Sequence, residues 1–354
     1  MRIALEQRRA VSRLRTWLTP LVALAVALAI GGVIVALLGK SPIVAFKVYL
    51  RDPLTDPWAL QEVLLKATPL SLIAIGLVFC FRANRWNIGA EGQMLVGAIC
   101  GGGVALLFLG QSGFYILPLM LLAGMAGGLA YAAIPAFLRV RFGISEILTS
   151  LMLVYVAELL LDYLVRGPWR DPKGFNFPQT PSFSDSALFQ PFFEGGRLHA
   201  GALLAILAII LATLVFRRTL FGFAINTLGE APRAANFAGF SERRITFLVF
   251  AISGALAGLA GVVEAAGQVG QLRPGFGQGL GFTAIIVAFL GRLSPIGAAL
   301  SAMVIAVLLI GAESAQVVMK LPFDLTRFFM GLLLMCVLAG EALNRYRLVI
   351  RKEG

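Results

Sequence analysis

The sequence is poor in ionisable residues of every kind. Only 14% of its 354 residues are Asp, Glu, Lys or Arg, and it contains one histidine and three cysteines. A soluble domain would be about a quarter charged, so a soluble globular protein is excluded. The apolar runs reach about 20 residues and are continuous rather than alternating, which excludes a β-barrel. Composition therefore predicts an all-α polytopic membrane protein whose backbone is satisfied inside helices.

The few residues that could bind a metal are scattered. Cys80, Cys100 and Cys336 each lie in an apolar segment, where cysteine behaves as a small hydrophobe. Their spacing fits neither a disulfide framework nor a metal site. His199 stands beside a predicted span without cysteine, histidine or carboxylate neighbours, so we expect an interfacial side chain there. No metal and no cofactor is expected in this chain.

Catalytic patterns are lacking as well. The sequence has no nucleophile elbow and no HExxH motif. Gly39, Lys40 and Ser41 resemble the end of a phosphate-binding loop, but Ile34 occupies the position of its first glycine. We therefore expect neither an enzyme nor a nucleotide site. The net charge of +12 is first a topology signal in a membrane protein, and nucleic acid is not expected as a partner.

Ten apolar segments predict ten membrane-spanning helices, of which the eighth is short enough to be half-length or tilted. Spans 2–5 and 7–10 begin on opposite sides, which permits an inverted repeat with a solute path at the repeat interface. The predicted spans are residues 19–38, 62–81, 88–109, 114–138, 146–166, 199–216, 245–265, 280–291, 295–316 and 326–342.

Lysine and arginine are distributed unevenly over the two sides of this arrangement. Nineteen of the thirty fall on the side of the N-terminus, so the positive-inside rule places both termini in the cytoplasm. The chain then forms a single membrane domain with a cytoplasmic tail (residues 1–18), an outer loop (residues 167–198) and a cytoplasmic loop (residues 217–244). The first apolar run is too long for a signal peptide and is expected to be retained as a span.

The two long loops suggest contacts with other molecules. The outer loop is rich in proline and phenylalanine, so its aromatic side chains either anchor at the membrane interface or form a docking surface for an external protein. The cytoplasmic loop carries the marks of one short helix: Pro232 suits its first turn, Glu230 its positive end and Gly239 its termination. A helix of about two turns is unstable alone. It either lies on lipid headgroups or serves as a lever that a soluble partner grips.

The third predicted span begins with a polar segment. Asn87, Glu91 and Gln93 are interspersed there with Gly89 and Gly92. Glycines let neighbouring helices approach closely, and a carboxylate is too costly to face lipid. Two interpretations stay open. One is a tightly packed helix crossing in which Glu91 binds a cationic or backbone partner; the other is a polar element that lines a solute path or its gate.

Three further residues are candidates for such a lining. Glu158 lies in the outer half of the fifth span and could face an aqueous vestibule. Glu264 ends the seventh span, and Gln268 follows in a glycine-rich stretch, residues 267–281. Non-helical backbone at membrane depth needs protein or water around it. The same stretch could equally be a simple outer loop.

Two strings relate the sequence to a known family. Asn-Ile-Gly-Ala-Glu-Gly-Gln at residues 87–93 follows a basic Phe-Arg-Ala segment, and Gly-Ile-Ser-Glu-Ile-Leu-Thr-Ser-Leu-Met-Leu occupies residues 143–153. Over most of residues 60–345 the chain resembles the permease subunits of bacterial ABC importers for nucleosides, within the ribose and branched-chain amino acid permease group. In one departure, Val154 and Tyr155 stand where relatives often have Asn-Tyr.

The resemblance implies a division of labour at the bacterial inner membrane. This chain and a second permease, the same or related, would form the translocation path. Two cytoplasmic ATPase subunits would hold ATP and Mg²⁺ and bind the cytoplasmic loop, and a substrate-binding lipoprotein would dock outside. This chain would not hydrolyse ATP itself. The implied coupling residues are Gly229, Glu230, Pro232, Arg233, Ala234, Ala235, Asn236 and Gly239.

Alternatives stay open for both the solute and the energy source. The resemblance points to nucleosides or related small solutes, and simple sugars are the alternative. A self-contained secondary transporter would need an ion or proton site, and the sequence lacks the several intramembrane charges expected of a proton relay.

Overall fold

The computed structural model describes residues 2–7, 13–193, 195–277 and 279–351, which are helical almost throughout. In chain order the α-helices are α1 (Arg13–Leu37), α2 (Pro42–Phe46), α3 (Asp52–Thr55), α4 (Pro57–Arg82), α5 (Ala90–Leu107), α6 (Ile116–Phe142), α7 (Glu146–Arg166), α8 (Gly201–Arg218), α9 (Leu220–Glu230), α10 (Pro232–Phe237), α11 (Glu242–Glu264), α12 (Leu280–Leu290), α13 (Pro295–Met319) and α14 (Phe323–Arg345).

Each predicted span coincides with one of these helices. Among the described residues, eight helices are long and apolar enough to cross a membrane. α12 has 11 residues, about half of what a span needs, as expected for the eighth segment. α14 occupies the tenth. The predicted all-α polytopic membrane fold is therefore confirmed, with α1, α4 to α8 and α11 to α14 as its spans.

Two connections are more helical than the sequence predicts. The residues between α1 and α4 form α2, a π-helical turn and α3. Residues 217–244 contain α9 in addition to the expected short helix, and Glu230 is the last residue of α9 rather than part of the following helix. Ala224, Ile225 and Leu228 of α9 are buried against the rest of the protein. Tertiary packing therefore stabilises a helix that is too short to form alone.

The two chain ends pair with each other. β1 (Arg2–Gln7) and β2 (Tyr346–Arg351) form an antiparallel two-stranded ribbon outside the spans. Its formation agrees with an even number of spans, which brings both termini to one side. A Cβ on Gly229 would overlap the carbonyl oxygen of Arg82, so α4 ends beside α9 and α10. α13 leaves from this side and α14 returns to it, so the ribbon lies on the α10 side of the molecule.

α11 lies at the centre of the bundle and runs antiparallel to α4. Gly76 of α4 packs on the backbone of Ser253. Nearer the start of α4, Lys66 approaches Glu264 at the end of α11. The chain therefore runs in opposite directions along α4 and α11. These two helices begin the two halves of the predicted inverted repeat, and their opposite directions are those that such a repeat requires.

Small residues bring α11 into backbone contact with α6. A Cβ on Gly258 would overlap the backbone oxygen of Gly124, and a Cβ on Gly254 would overlap the backbone oxygen of Gly128. The glycines are four residues apart on each helix, the spacing through which membrane helices approach most closely. Close packing of this kind makes the centre of the bundle rigid.

The eighth span is broken. Between the π-helical turn that follows α11 and the start of α12, residues 270–277 form only turns and bends; we call them the unwound segment. Leu272 packs beside Gly102 near one end of α5, whereas Gly281 packs on Glu91 near the other end. These two positions of α5 are about 16 Å apart along the helix. The chain therefore descends into the bundle before α12 begins.

Adding a methyl group at the α6–α11 contact is predicted to destabilise the bundle. Gly258→Ala places a Cβ on the backbone of Gly124, and overpacking of this kind costs about 1–3 kcal/mol. We expect a lower yield of folded protein and a melting temperature in detergent that falls by several degrees. Gly331→Ala is the matched control, because nothing lies within 4 Å of a Cβ there. Equal melting of the two variants would contradict the prediction.

Candidate functional site

The short helix in the cytoplasmic loop has the form that the sequence predicts. Pro232 is its first residue, where a missing N–H costs nothing. Gly239 follows its end with a φ of 84°, in the left-handed region. The Phe240 N–H donates to the Ala235 carbonyl, and the Gly239 N–H donates to the Asn236 carbonyl, both at 3.0 Å. These two hydrogen bonds form the Schellman motif that ends a helix.

α10 presents nearly all of its surface to the outside. Ala235 is fully buried and anchors the helix, whereas the side chain of Phe237 is 98% exposed. A bulky aromatic side chain exposed at the end of this helix is available for contact with a partner protein or with lipid headgroups. The sequence analysis missed Phe237, because its residue type predicts burial. The exposed members of the predicted coupling set are Glu230, Pro232, Arg233, Ala234, Asn236 and Gly239.

A basic cavity of about 390 Å³ opens beside α10, and Asn236 forms part of its wall. Arg85 pairs there with Glu242, while its buried Nε has no hydrogen-bond partner among the described residues. Arg139 and Arg243 also line the cavity. Arg85 and Arg139 form ion pairs with Glu242 and Glu146, so Arg243 supplies the excess positive charge of this wall, which favours contact with acidic groups.

The polar segment before α5 is a closed hydrogen-bond cluster. The side-chain amides of Asn87 and Gln93 donate to each other at 2.9 and 3.0 Å, and both residues are buried. Asn87 also donates to Ser253 Oγ of α11 at 3.0 Å. The Ile88 N–H donates to Ser150 Oγ of α7 at 3.2 Å. The cluster therefore ties the turn between α4 and α5 to α7 and α11.

The carboxylate of Glu91 holds the start of α12. Glu91 is 3% exposed, and it accepts the N–H groups of Gly281 at 2.5 Å and Gly279 at 3.1 Å. The first N–H groups of a helix lack partners inside it, and the positive end of the helix dipole favours a negative charge. These contacts are those of a packed crossing with a backbone partner for Glu91. A role of Asn87, Glu91 and Gln93 in lining a path stays a prediction.

A second polar cavity, of about 310 Å³, lies on the side opposite α10. α4, the end of α11, the unwound segment and α13 form its walls. Glu264, a candidate lining residue from the sequence, faces it and approaches Lys66 at 3.7 Å. The other charged residues of the wall come from segments far apart in the chain, so the sequence analysis did not group them. They are Glu62, Lys66, Arg197, Arg273 and Glu313.

Of the two remaining lining candidates, Glu158 lies away from this cavity. Glu158 is exposed on α7, between the exposed side chains of Tyr155 and Leu159. It stands about 18 Å along the helix from Glu146, within the span. The backbone of Gln268 belongs to the π-helical turn after α11, and its side chain lies outside the described part of the chain. Their role in a lining stays a prediction.

His199 is buried within the protein. Its ring stacks on Phe189 with centroids 4.7 Å apart, and Nδ1 accepts the Gly201 N–H at 3.1 Å. Burial and the nearby Arg197 charge lower the pKa of His199 to about 4, so the ring is neutral at pH 7. The Phe189 N–H donates to the Ala266 carbonyl at 3.0 Å. The histidine thus secures the outer loop against the end of α11.

The outer loop has a buried part and an exposed part. Thr180 exchanges two hydrogen bonds with Leu272, of 2.9 and 3.0 Å, and so holds the unwound segment. Phe175, Phe177 and Phe193 are 93%, 67% and 65% exposed. Both expected roles of the aromatic residues, interface anchor and docking surface, are compatible with this exposure.

Comparison with known proteins places these features in a family. The chain matches the model of the branched-chain amino acid transport system / permease component over residues 59–338. It is 37% identical to the glucose ABC transporter permease protein TsgB13 of Haloferax volcanii, over 98% of this chain and 94% of that protein. It is 29% identical to the guanosine ABC transporter permease protein NupP of Bacillus subtilis, over 97% and 99%. It is 30% identical to the nucleoside ABC transporter permease protein NupB of Lactococcus lactis, over 85% of each. No solved structure matches.

A broken span inside a bundle, with a polar cavity at each end, is an arrangement found in membrane transport proteins. The chain belongs to the family of branched-chain amino acid transport system permease components. It is thus a permease subunit of an ABC transporter rather than an enzyme. The resemblance carried by residues 87–93 and 143–153 is confirmed.

Removing the Glu91 carboxylate is predicted to loosen the broken span. Glu91→Ala leaves the buried N–H group of Gly281 and the partly buried one of Gly279 without an acceptor, and the buried group alone costs about 1–3 kcal/mol. We expect a lower melting temperature in detergent and faster hydrogen exchange at Gly281. Glu91→Gln keeps one acceptor and should be intermediate. Glu158→Ala removes an exposed carboxylate as a control, and a Glu91→Ala protein that behaves like it would contradict the prediction.

Proposed function

We propose that this chain is a permease of an ABC importer in the bacterial cytoplasmic membrane and that two ATPase subunits operate it through α10. The observation that carries the proposal is the almost complete exposure of Phe237 on a helix anchored by Ala235. The α10 side is then cytoplasmic, and both termini lie there. ATP and Mg²⁺ belong to the ATPase subunits, and this chain needs no cofactor of its own.

Arg82 is the junction through which a movement of α10 reaches the spans. Its carbonyl packs on Gly229, just before α10. Its Nε donates to the Leu293 carbonyl at 2.6 Å, beside the start of α13. Its guanidinium lies over the ring of Phe216 in α8, 4.5 Å from the centroid. A displacement imposed by the ATPase subunits would therefore act on α4, α8 and α13 together, which is how a partner can shift a permease between two states.

A second permease, the same or related, covers the exposed face of α7 in this proposal. An ionised carboxylate at the depth of Glu158 is costly against lipid. Tyr155 and Tyr163 are 56% and 67% exposed on the same helix. Water and a hydroxylated solute between two such faces would solvate the carboxylate and the phenols. The translocation path is accordingly assigned to the interface between the two permeases.

The solute class proposed is nucleosides. Two relatives, NupP and NupB, carry names for guanosine and nucleoside transport. TsgB13 carries a name for glucose transport, so simple sugars are the second candidate. Both classes contain a ring with neighbouring hydroxyl groups. A substrate-binding lipoprotein would deliver the solute to the outer loop, whose exposed Phe175 and Phe193 provide an apolar docking surface.

Changing either of two exposed residues of α10 is predicted to uncouple the permease from the ATPase subunits. Arg233→Glu and Phe237→Ala should each lower co-purification of the ATPase subunits and reduce solute-stimulated ATP hydrolysis at least about tenfold, as expected when a central interface contact is lost. Arg218→Glu is the control, since Arg218 is an exposed arginine at the end of α8 and lies outside α10. Unchanged ATPase stimulation in both α10 variants would refute the coupling role.

Uptake by the reconstituted complex tests the solute and the energy source. Proteoliposomes holding the permeases, the ATPase subunits and the binding protein are expected to accumulate radiolabelled uridine only when ATP is present. Excess guanosine should compete, and excess glucose should not. Competition by glucose and not by guanosine would indicate that the solute is a sugar. Uphill uptake by the isolated chain in an ion gradient, without ATP, would indicate that the protein is a secondary transporter instead.

A further inference from the structure

The cavity opposite α10 concentrates charge in a chain that has little of it. Three carboxylates and three cationic side chains line a volume of about 310 Å³. Ionisable groups within or beside spans are costly and mark functional sites by default. Because the charges balance, the cavity suits a neutral polar ligand better than an ion of either sign. The six are Glu62, Lys66, Arg197, Glu264, Arg273 and Glu313.

Pairing among these residues leaves hydrogen-bonding capacity unused. Arg197 pairs with Glu62 at 2.8 Å. Lys66 approaches one oxygen of Glu264 at 3.7 Å, which is longer than a hydrogen bond. The other oxygen, Oε2, is buried and has no partner among the described residues, and Glu264 as a whole is only 6% exposed. A buried acceptor of this kind is costly unless a donor reaches it.

The remaining walls combine apolar surface with open backbone. Phe276 and Ile310 supply apolar side chains, and the unwound segment contributes Gly275 and Gly277 without side chains in the way. Small-molecule sites range upward from about 300 Å³ and hold their ligands through a few convergent polar groups. This cavity is more polar than most such sites, which favours a ligand rich in hydroxyl groups. A ring with two neighbouring hydroxyl groups fits this set. Both hydroxyls can donate to one carboxylate, and a cation beside it can donate back to them.

We infer that this cavity binds the hydroxylated ring of the transported solute, with Glu264 accepting from its hydroxyl groups and Lys66 donating to them. The inference rests on the proposed transport function and adds a solute site built by this chain alone, separate from the interface between permeases. A ligand there contacts α4, α11, α13 and the unwound segment at once. Binding would thus favour the state in which these four elements lie together.

Ligand-observed NMR on the full chain in nanodiscs tests the site. Uridine is the probe, and 2′,3′-dideoxyuridine, which lacks the neighbouring hydroxyls, is the matched ligand. We expect saturation transfer to the ribose protons of uridine and at least about tenfold weaker binding of the dideoxy compound, as for loss of hydrogen bonds to a charged group. Glu264→Gln should weaken uridine binding to a similar extent, and Asp324→Asn, which changes an exposed carboxylate of α14, should not.

Several results would overturn the site. They are equal binding of the two compounds, undiminished binding by Glu264→Gln, or no uridine binding by the wild-type chain while the full complex still imports uridine. If Glu264→Gln does not fold, Lys66→Met replaces it, with the same tenfold loss expected and an unchanged affinity counting against the site. Glucose binding that depends on Glu264, with no uridine binding and no uridine import, would support the site and overturn the nucleoside assignment.

Discussion

The hydrogen bonds from the start of α12 to the Glu91 carboxylate allow the eighth span to begin as a helix inside the bundle. A helix that begins inside a bundle leaves its first N–H groups without partners, and a buried donor left unsatisfied costs about 1–3 kcal/mol. Glu91 satisfies two of them, at Gly279 and Gly281, from a neighbouring helix. The unwound segment can then run alongside α5 in place of a full-length helix. Because that segment forms one wall of the cavity opposite α10, the cavity depends on a hydrogen-bond pair on the other half of α5.

The packing around α11 explains why this arrangement is held in one place. α11 contacts α6 through glycine backbones and contacts α4 through Gly76 and Ser253. Helices in such contact cannot shift gradually without losing dispersion over a large area. The Asn87–Gln93 cluster adds a hydrogen bond to Ser253 of the same helix. We therefore expect α6 and α11 to move as one unit, and α4 to shift against that unit only in one step, between two packings.

Much of the architecture could be predicted from local sequence, while the cavities could not. Long apolar runs place the spans, and Pro232 and Gly239 place α10, because each of these signals acts within one segment. The local sequence does not predict α9, because the stability of this helix comes from burial against distant helices. The sequence does not predict the exposure of Phe237, because an aromatic residue is normally expected to be buried. Lys66 and Glu264 are nearly two hundred positions apart, so only the antiparallel packing of α4 on α11 brings them together.

α4 connects the two ends of the molecule. Arg82 at its end holds the base of α10, and Lys66, about 24 Å earlier on the same helix, lines the opposite cavity. α4 is buried along most of its length, so the surrounding helices restrict its bending even at Pro69, which lies between the two positions and removes one helical hydrogen bond. A displacement at the α10 side must therefore either move α4 as a rod or be absorbed where α12 meets α13, at the Leu293 carbonyl that Arg82 binds. In the first case Lys66 shifts against Glu264, since Glu264 belongs to the rigid unit around α11. The solute site and the ATPase contact would then be coupled through one helix, and the coupling would act in both directions, because a solute that holds Lys66 and Glu264 together also resists movement at Arg82.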